Sequence, residues 1–531
     1  MGMVDWGVVG VYFLIVFGVA IWSGRKERAE ASASNFFLAG RNVGWFVIGA
    51  SVFASNIGSE HLIGLAGTGA ASGVAVAQFE ILAAFALLLL GWFFVPFYLA
   101  SGVFTMPEFL ERRYSQGARL YLAIISVIGY VLTKISVTIA AGGIVFETLM
   151  GIDFWTGAVI VVVATGLYTA WGGLRAVLYT DLIQMFVLIG GAVVVVVIGL
   201  EAVGGWGALR EAAGEQAFSL WKPMSHPDFP WTGILFGAPV LAVWYWCTDQ
   251  YIVQRVLSAH GIQDARRGTL FAAYLKQAPL FIFVVPGMIA AALAAQGKLD
   301  LPQADAALPA LIQTLLPIGL KGLVVAGLLA ALMSSLSSVF NSCSTIVTMD
   351  LYKRFHTDAS DRTLVVVGQV STAILVALGL VWIPFMKAIS GQLFTYLQSV
   401  QAYIAPPIAA VFLIGVLWRR ANASGAAWAL GIGAVLGLGR LVLELNKSDL
   451  SGLAFMLADA NFLHVAFYLF VVSAAILVGV SLATQAPARD RVDGLTMGAG
   501  EPVTGVDRRG RDILLSGGVL LLIAAVWVYF S

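Results

Sequence analysis

Stretches of apolar residues close to the ~20 needed to cross a ~30 Å hydrocarbon core recur from one end of this chain to the other. Lipid offers no hydrogen bonds, so a chain patterned this way must satisfy its backbone internally, and runs of this length do so as helices. Of 531 residues, 60% are hydrophobic and 11% are Asp, Glu, Lys or Arg, whereas soluble domains carry about 25% charged residues. The expectation is an all-α polytopic membrane protein forming one transmembrane domain. Fourteen candidate helices fall at 5–24, 44–72, 74–100, 117–148, 153–171, 174–203, 231–251, 266–294, 319–350, 361–386, 391–416, 423–445, 461–484 and 511–530. The longest polar connections, 204–230, 295–318 and 485–510, are too short for a separate domain. The first is expected to cap one face and the last to link helices on the other.

The first apolar run does not read as a cleaved signal peptide, because Asp5 precedes it and the positive cluster from Arg25 to Arg28 follows it. With the N-terminus outside, 21 of the 30 Lys and Arg fall in loops that are then cytoplasmic and seven in the opposite loops, which predicts both termini outside. Cys247 and Cys343 lie in apolar spans and offer neither a disulfide framework nor a zinc spacing. The net charge of +1 gives no sign of nucleic acid, and no obligate protein partner is evident.

Two spans are poor as simple membrane helices. Between Ala54 and His61 the first carries Ser55, Asn56, Gly58, Ser59, Glu60 and His61; the second carries Gly237 and Pro239 and runs from Trp244 to Gln250 through Asp249. Irregular or polar backbone at that depth is tolerated where protein or a water-filled cavity surrounds it. The spans are five helices apart, the pattern of two inverted repeats that each open on a broken helix. Gly58, Gly64 and Gly69 are equally compatible with close helix packing, which leaves Asn56, Glu60 and His61 unexplained.

Hydroxyls and carbonyls freed by an unwound helix together make an alkali-cation site. Ser334, Ser337 and Ser338 share one helix face, with Ser335 adjacent; the alternative is back-bonding of each hydroxyl to the preceding turn. Asp181 and Lys276 are intramembrane charges that each need a partner or a watery path, unless Lys276 snorkels to the span's end. Lys134 has the same ambiguity. Glu80 reads as either a hydrogen-bonded core acid or a solute contact. Gln398, ahead of Pro406 and Pro407 and so beside an expected helix interruption, has an amide suited to a hydroxylated solute. Tyr245 and Trp246 suit the apolar face of a sugar or an interfacial belt. No nucleophile, base and oxyanion set of an enzyme is visible.

Ala54 to Ser59 with Gly64 to Gly69, Thr105 to Glu108, Trp244 to Arg255, Leu332 to Met349 and Ser390 to Phe412 resemble, in this order, the solute:sodium symporter family, most closely its sodium/glucose cotransporter branch. The resemblance runs from about residue 5 to residue 484. It implies the LeuT-type fold, with inverted repeats of five helices each at 44–203 and 231–416 and peripheral helices at 5–24 and 423–530. It further implies sodium-coupled symport of a sugar or polyol, glucose- or galactose-like, by alternating access. Asn56, His61, Glu80, Tyr245, Trp246, Lys276 and Gln398 match the family's solute-binding residues, and Leu65, Phe79 and Phe394 its outer gate, with Tyr245 also closing the inner side. The main Na+ site would join carbonyls of Ala54, Ile57 and Ala331 to hydroxyls of Ser334 and Ser335; a second Na+ would use Asp181, Ser334, Ser337 and Ser338. Ala242 departs from the Thr or Asn of similar sugar carriers, which weakens glucose against galactose, inositol or another polyol. The animal carriers' cysteine-containing outer loop is missing, which suggests a bacterial inner (plasma) membrane. The alternatives are another small solute (an amino acid, carboxylate, vitamin or anion), or a solute-binding sensor or channel.

Overall fold

A computed structural model describes residues 1–29, 32–58, 60–387, 393–497 and 509–531. In chain order its principal helices are α1 (Met3–Ala29), α2 (Trp45–Asn56), α3 (His61–Ser101), α4 (Gln116–Met150), α5 (Phe154–Val203), α6 (Gly233–Thr248), α7 (Gln250–Leu257) and α8 (Ile262–Ala295). They continue with α9 (Leu320–Phe355), α10 (Asp361–Lys387), α11 (Leu393–Leu417), α12 (Ala423–Leu445), α13 (Phe462–Ala483) and α14 (Arg509–Tyr529). No strand occurs among the described residues.

Eleven helices among the described residues are long and apolar enough to cross a membrane. The remaining expected spans are found at breaks. Gly73 (φ +73°) divides α3 into the end of 44–72 and the whole of 74–100, and Gly173 (φ +56°) divides α5 into 153–171 and 174–203. Residues with a β-carbon rarely adopt those angles, so each glycine sets where one crossing ends. α2 and α6 are shorter apolar helices, each stopping at one of the two polar segments. One expectation is corrected: α11 runs through Pro406 and Pro407 without a break. The ring of Pro407 lies over Gly433 of α12, where no side chain competes for space, and a membrane helix tolerates the missing N–H when neighbours pack closely.

α9 forms the centre, with every residue from Val324 to Ile346 buried, and its most extensive partner is α5. Large apolar side chains point outward around the periphery, among them Leu14, Leu167, Val435 and Leu514, as a lipid-facing belt requires. Both α2 and the first arm of α3 lie on α8 at glycine contacts. A β-carbon on Gly49 would stand 2.7 Å from the carbonyl oxygen of Gly268, and one on Gly69 would stand 2.5 Å from that of Val284. Gly69 is thus a packing glycine, while Gly58 sits in the break itself.

The segment 204–230 folds over one end of the bundle, where Trp206 Nε1 donates to the Tyr529 hydroxyl at 2.7 Å and Leu220 N to the Phe530 carbonyl at 2.9 Å. At the opposite end the linker after α13 is tied down where Met497 N donates to the Val416 carbonyl at 2.8 Å.

Candidate functional site

α2 ends at Asn56 because Ile57 leaves the helical region (φ −76°, ψ 85°) and Gly58 follows; the chain coils again from Glu60 in a wide turn. Such an end leaves carbonyls without helical partners. The oxygen of Ser55 is met instead by side chains of other helices: Ser335 Oγ of α9 donates to it at 3.0 Å, and the Tyr251 hydroxyl of α7 also donates. The second interruption is at Asp249, whose extended backbone (φ −78°, ψ 128°) separates α6 from α7. Its carboxylate caps α7 by accepting from Tyr251 N at 3.2 Å, and accepts from the Tyr130 hydroxyl as well.

Between the two interruptions lies a cavity of about 60 Å³, lined by Asn56, His61, Phe79, Glu80, Tyr245, Trp246 and Gln398 together with Lys134, Ala242 and Gln401. Six of the seven expected solute contacts therefore share one space. The seventh, Lys276, stands behind them and is 1% exposed, so it does not snorkel. Its Nζ donates to Asn56 Oδ1 at 2.5 Å and to the Glu80 carboxylate, and lies 5.3 Å from the centroid of the Trp246 ring. Glu80 is in turn 3.3 Å from His61 Nε2, and Asn56 Nδ2 donates to the Tyr245 hydroxyl at 3.1 Å. A buried ion pair persists only when further hydrogen bonds satisfy both partners; here the chain from Tyr245 to His61 supplies them and holds the cavity's polar atoms in fixed directions.

Of the expected gate, Phe79 lines the cavity and meets Phe229 of the capping loop edge-on at 6.1 Å. Leu65 is fully buried outside the lining, and the side chain of Phe394 lies outside the described residues. Lys134 and Gln401 were missed as lining residues; the signal for Gln401 is its place one turn after Gln398. Both also line a second cavity of about 20 Å³ with Tyr130, Thr133, Trp244 and Asp249. The Lys134 ammonium stands between the two, 5.0 Å from the Tyr245 ring and 5.5 Å from that of Tyr251.

The serine row of α9 faces α2 and α5. Ser334 Oγ donates to Asp181 Oδ1 at 2.6 Å, while Asp181 Oδ2 accepts from Ser51 at 2.5 Å and from Ser55 at 3.0 Å. Ser338 Oγ donates to Ser55 Oγ at 2.9 Å. Ser337 turns back to the Ser334 carbonyl at 3.0 Å, the local bond that its spacing also allowed. Ala54 and Ala331 are buried in the same region, at the end of α2 and the middle of α9. Arg255, counted among the loop charges in the sequence, is instead 1% exposed, with its guanidinium 3.9 Å from Asp181. No group of three or more His, Cys, Asp or Glu able to hold a metal occurs among the described residues. Hydroxyls, carbonyls and a lone carboxylate are hard oxygen donors, a poor set for transition metals.

The sequence profile of the sodium:solute symporter family matches residues 36–433. The chain is 40% identical over 526 residues to sodium/glucose cotransporter 4 of Mus musculus, covering 92% of this chain and 77% of that protein. It is also 40% identical over 532 residues to sodium/myo-inositol cotransporter 2 of Oryctolagus cuniculus, covering 93% and 78%. Among solved structures, a Na+-coupled sialic acid symporter in a substrate-bound outward-open state superposes with a TM-score of 0.78 at 22% identity, over 91% of this chain and 99% of that one; this likeness establishes the shared LeuT-type fold. A profile spanning most of the chain and relatives at this identity along nearly its whole length lead to one assignment: the chain is a multi-pass membrane protein that belongs to the sodium:solute symporter family.

Proposed function

We propose that this protein is a secondary active transporter that couples sodium entry to uptake of a neutral sugar or polyol by alternating access. The observation that carries the reading is the cavity between two broken helices, whose polar lining is three amides, an imidazole, a phenol, the Lys134 ammonium and the Glu80 carboxylate backed by Lys276, rather than an arginine clamp. Amides both donate and accept, as a hydroxylated solute requires, whereas a carboxylate solute favours the arginine fork. The relatives' names, sodium/glucose and sodium/myo-inositol cotransporter, support the same solute class. Nothing in the reading calls for catalysis.

Asn56, His61, Glu80, Tyr245, Trp246, Lys276 and Gln398 contact the solute, with Leu65, Phe79 and Phe394 closing the outer side. Sodium is held by the carbonyls of Ala54, Ile57 and Ala331 and the hydroxyls of Ser334 and Ser335, and a second ion by Asp181, Ser334, Ser337 and Ser338. Support for the first site comes from the Ser335 bond to the Ser55 carbonyl, which brings α9 against the open end of α2. An ion there ties the two repeats, 44–203 and 231–416, into one arrangement and orients Asn56 from behind. Its loss to the cytoplasm loosens both. Each charge moved inward gains about 2.3 kcal/mol per 100 mV. Both termini face outward and the basic loops face the cytoplasm of a bacterial cell, toward which the second cavity lies along α4, α6 and α11.

Uptake of radiolabelled sugars and polyols into proteoliposomes, with and without a sodium gradient, tests the reading. Accumulation above the external concentration is expected only with the gradient; a sensor accumulates nothing and a channel never concentrates. In the same assay Ser334→Ala is expected to raise the sodium concentration for half-maximal uptake at least about fivefold, the loss of one ligand hydroxyl. Unchanged sodium dependence removes Ser334 from the site.

A further inference from the structure

Two members of the oxygen set assigned to the second sodium ion, Ser338 and Asp181, already face a cation in this structure, and that cation is a side chain. Arg255 sits on α7, directly after the second helix break. Its Nε donates to Ser51 Oγ at 3.0 Å and Ser55 Oγ at 2.8 Å, its terminal nitrogens donate to the Tyr251 carbonyl and to Ser338 Oγ, and it lies 3.9 Å from Asp181 Oδ2. Asp181 is 0% exposed and Arg255 1%. The other buried carboxylate nearby, Asp249, is engaged by Tyr130 and by the start of α7.

We propose that Arg255 is a tethered counter-cation of the Asp181 site, and that a sodium ion is held there only when the guanidinium has withdrawn. The proposal rests on the reading of Asp181, Ser334, Ser337 and Ser338 as the second sodium site. Three physical points lead to it. A carboxylate with no access to water keeps its charge only beside a cation, and in this arrangement Arg255 is that cation. The guanidinium donates into the Ser338 lone pairs that an ion would need, so the two cations draw on the same oxygen. Two unit charges at this separation in a protein interior repel strongly, which disfavours joint occupancy. The pair is also not in direct hydrogen-bond contact: serines of α2 and α9 hold the guanidinium beside the carboxylate, which leaves both Asp181 oxygens to hydroxyl donors that can rotate. Withdrawal of Arg255 displaces α7, and α7 carries the Tyr251 hydroxyl that caps the open end of α2. Arrival of the second ion is thereby converted into movement of the second broken helix. Arg255 acts through Asp181 and is a positioning residue.

The experiment measures, on the purified full chain, the sodium concentration for half-maximal thermal stabilisation, and on proteoliposomes the charge moved per solute. Competition means that the apparent sodium affinity is reduced by the fraction of molecules whose site is open. Arg255→Gln is expected to lower the half-saturating sodium concentration about tenfold. Arg255→Lys, which keeps the charge, is expected to stay within about threefold of the parent. A folded Arg255→Gln protein with unchanged or higher half-saturation overturns the proposal. Should Arg255→Gln not fold, the neutral pair Asp181→Asn with Arg255→Gln is compared with Asp181→Asn alone. Equal half-saturation is expected, since without the carboxylate the second ion is no longer held and Arg255 has nothing to compete with, and a further shift overturns the proposal. Charge per solute separates the two levels: if Asp181→Asn leaves it unchanged, the second-ion reading itself fails, whereas a loss of one charge with no effect of Arg255 rejects the tethered cation alone.

Discussion

Lys276 and Glu80 pair at the wall of the cavity, Glu80 in its lining and Lys276 behind it, and both are buried. Removing one partner strands the other, at a cost of about 3–5 kcal/mol, whereas neutralising both costs far less. Lys276→Met alone is therefore expected to lower the melting temperature sharply, and Lys276→Met with Glu80→Gln to recover most of it while solute binding stays lost. Recovery of binding in the double variant would place the pair outside solute recognition. Gln398 is partly exposed to the same cavity and belongs to no such pair. Gln398→Ala is expected to weaken solute binding about tenfold, the worth of one well-placed hydrogen bond, and to leave stabilisation by sodium as it was. A thermal titration with each ligand reads both effects.

At the scale of helices, the second cavity beyond Lys134 can be tested as the way out for solute. Gly129 of α4 borders the second cavity, and a β-carbon there would meet nothing within 4 Å. Gly129→Leu is thus expected to fill the space without strain and with a gain in helix propensity. Sodium-dependent solute affinity should stay within about twofold, and turnover should fall about tenfold if this is the exit; undiminished uptake would mean solute leaves elsewhere. The polar runs around Asn56 and Asp249 made both interruptions legible in the sequence, because lipid penalises polar backbone regardless of what surrounds it. Pro406 and Pro407 were misleading for the converse reason: whether a proline breaks a helix depends on the neighbour, and Gly433 is 26 positions away. Arg255 was hidden more deeply. An arginine near a span's end ordinarily faces water, and only the meeting of α2, α5, α7 and α9 puts a carboxylate and three serine hydroxyls around it.

Across the molecule, the loop between α8 and α9 carries its own titrating contact. Asp305, in the loop between α8 and α9, sits against Gly67 on the first arm of α3, and burial pushes its carboxyl up to about 6. A folded state that binds the proton more tightly than the unfolded chain is stabilised at low pH. That contribution is complete below the ordinary carboxylate range and is lost as pH rises through about 6. The melting temperature is expected to fall from about pH 4 to about pH 7 by more in the parent than in Asp305→Asn, in which this component vanishes. Parallel profiles would show that the carboxyl does not report on this seat.

The glycine contacts along α8 bear on what can pivot. α8, which passes through a turn at Lys276 and Gln277, carries the stretch before the gap at Gly58 through Gly49 on one side of that turn and the stretch after it through Gly69 on the other, close to backbone at each place. Both ends of the gap are thus seated on the same neighbour by contacts that only glycine permits. The first broken helix is therefore expected to keep its seat on α8 through transport, so that a bulky side chain at Gly49 or Gly69 would cost folding as well as turnover.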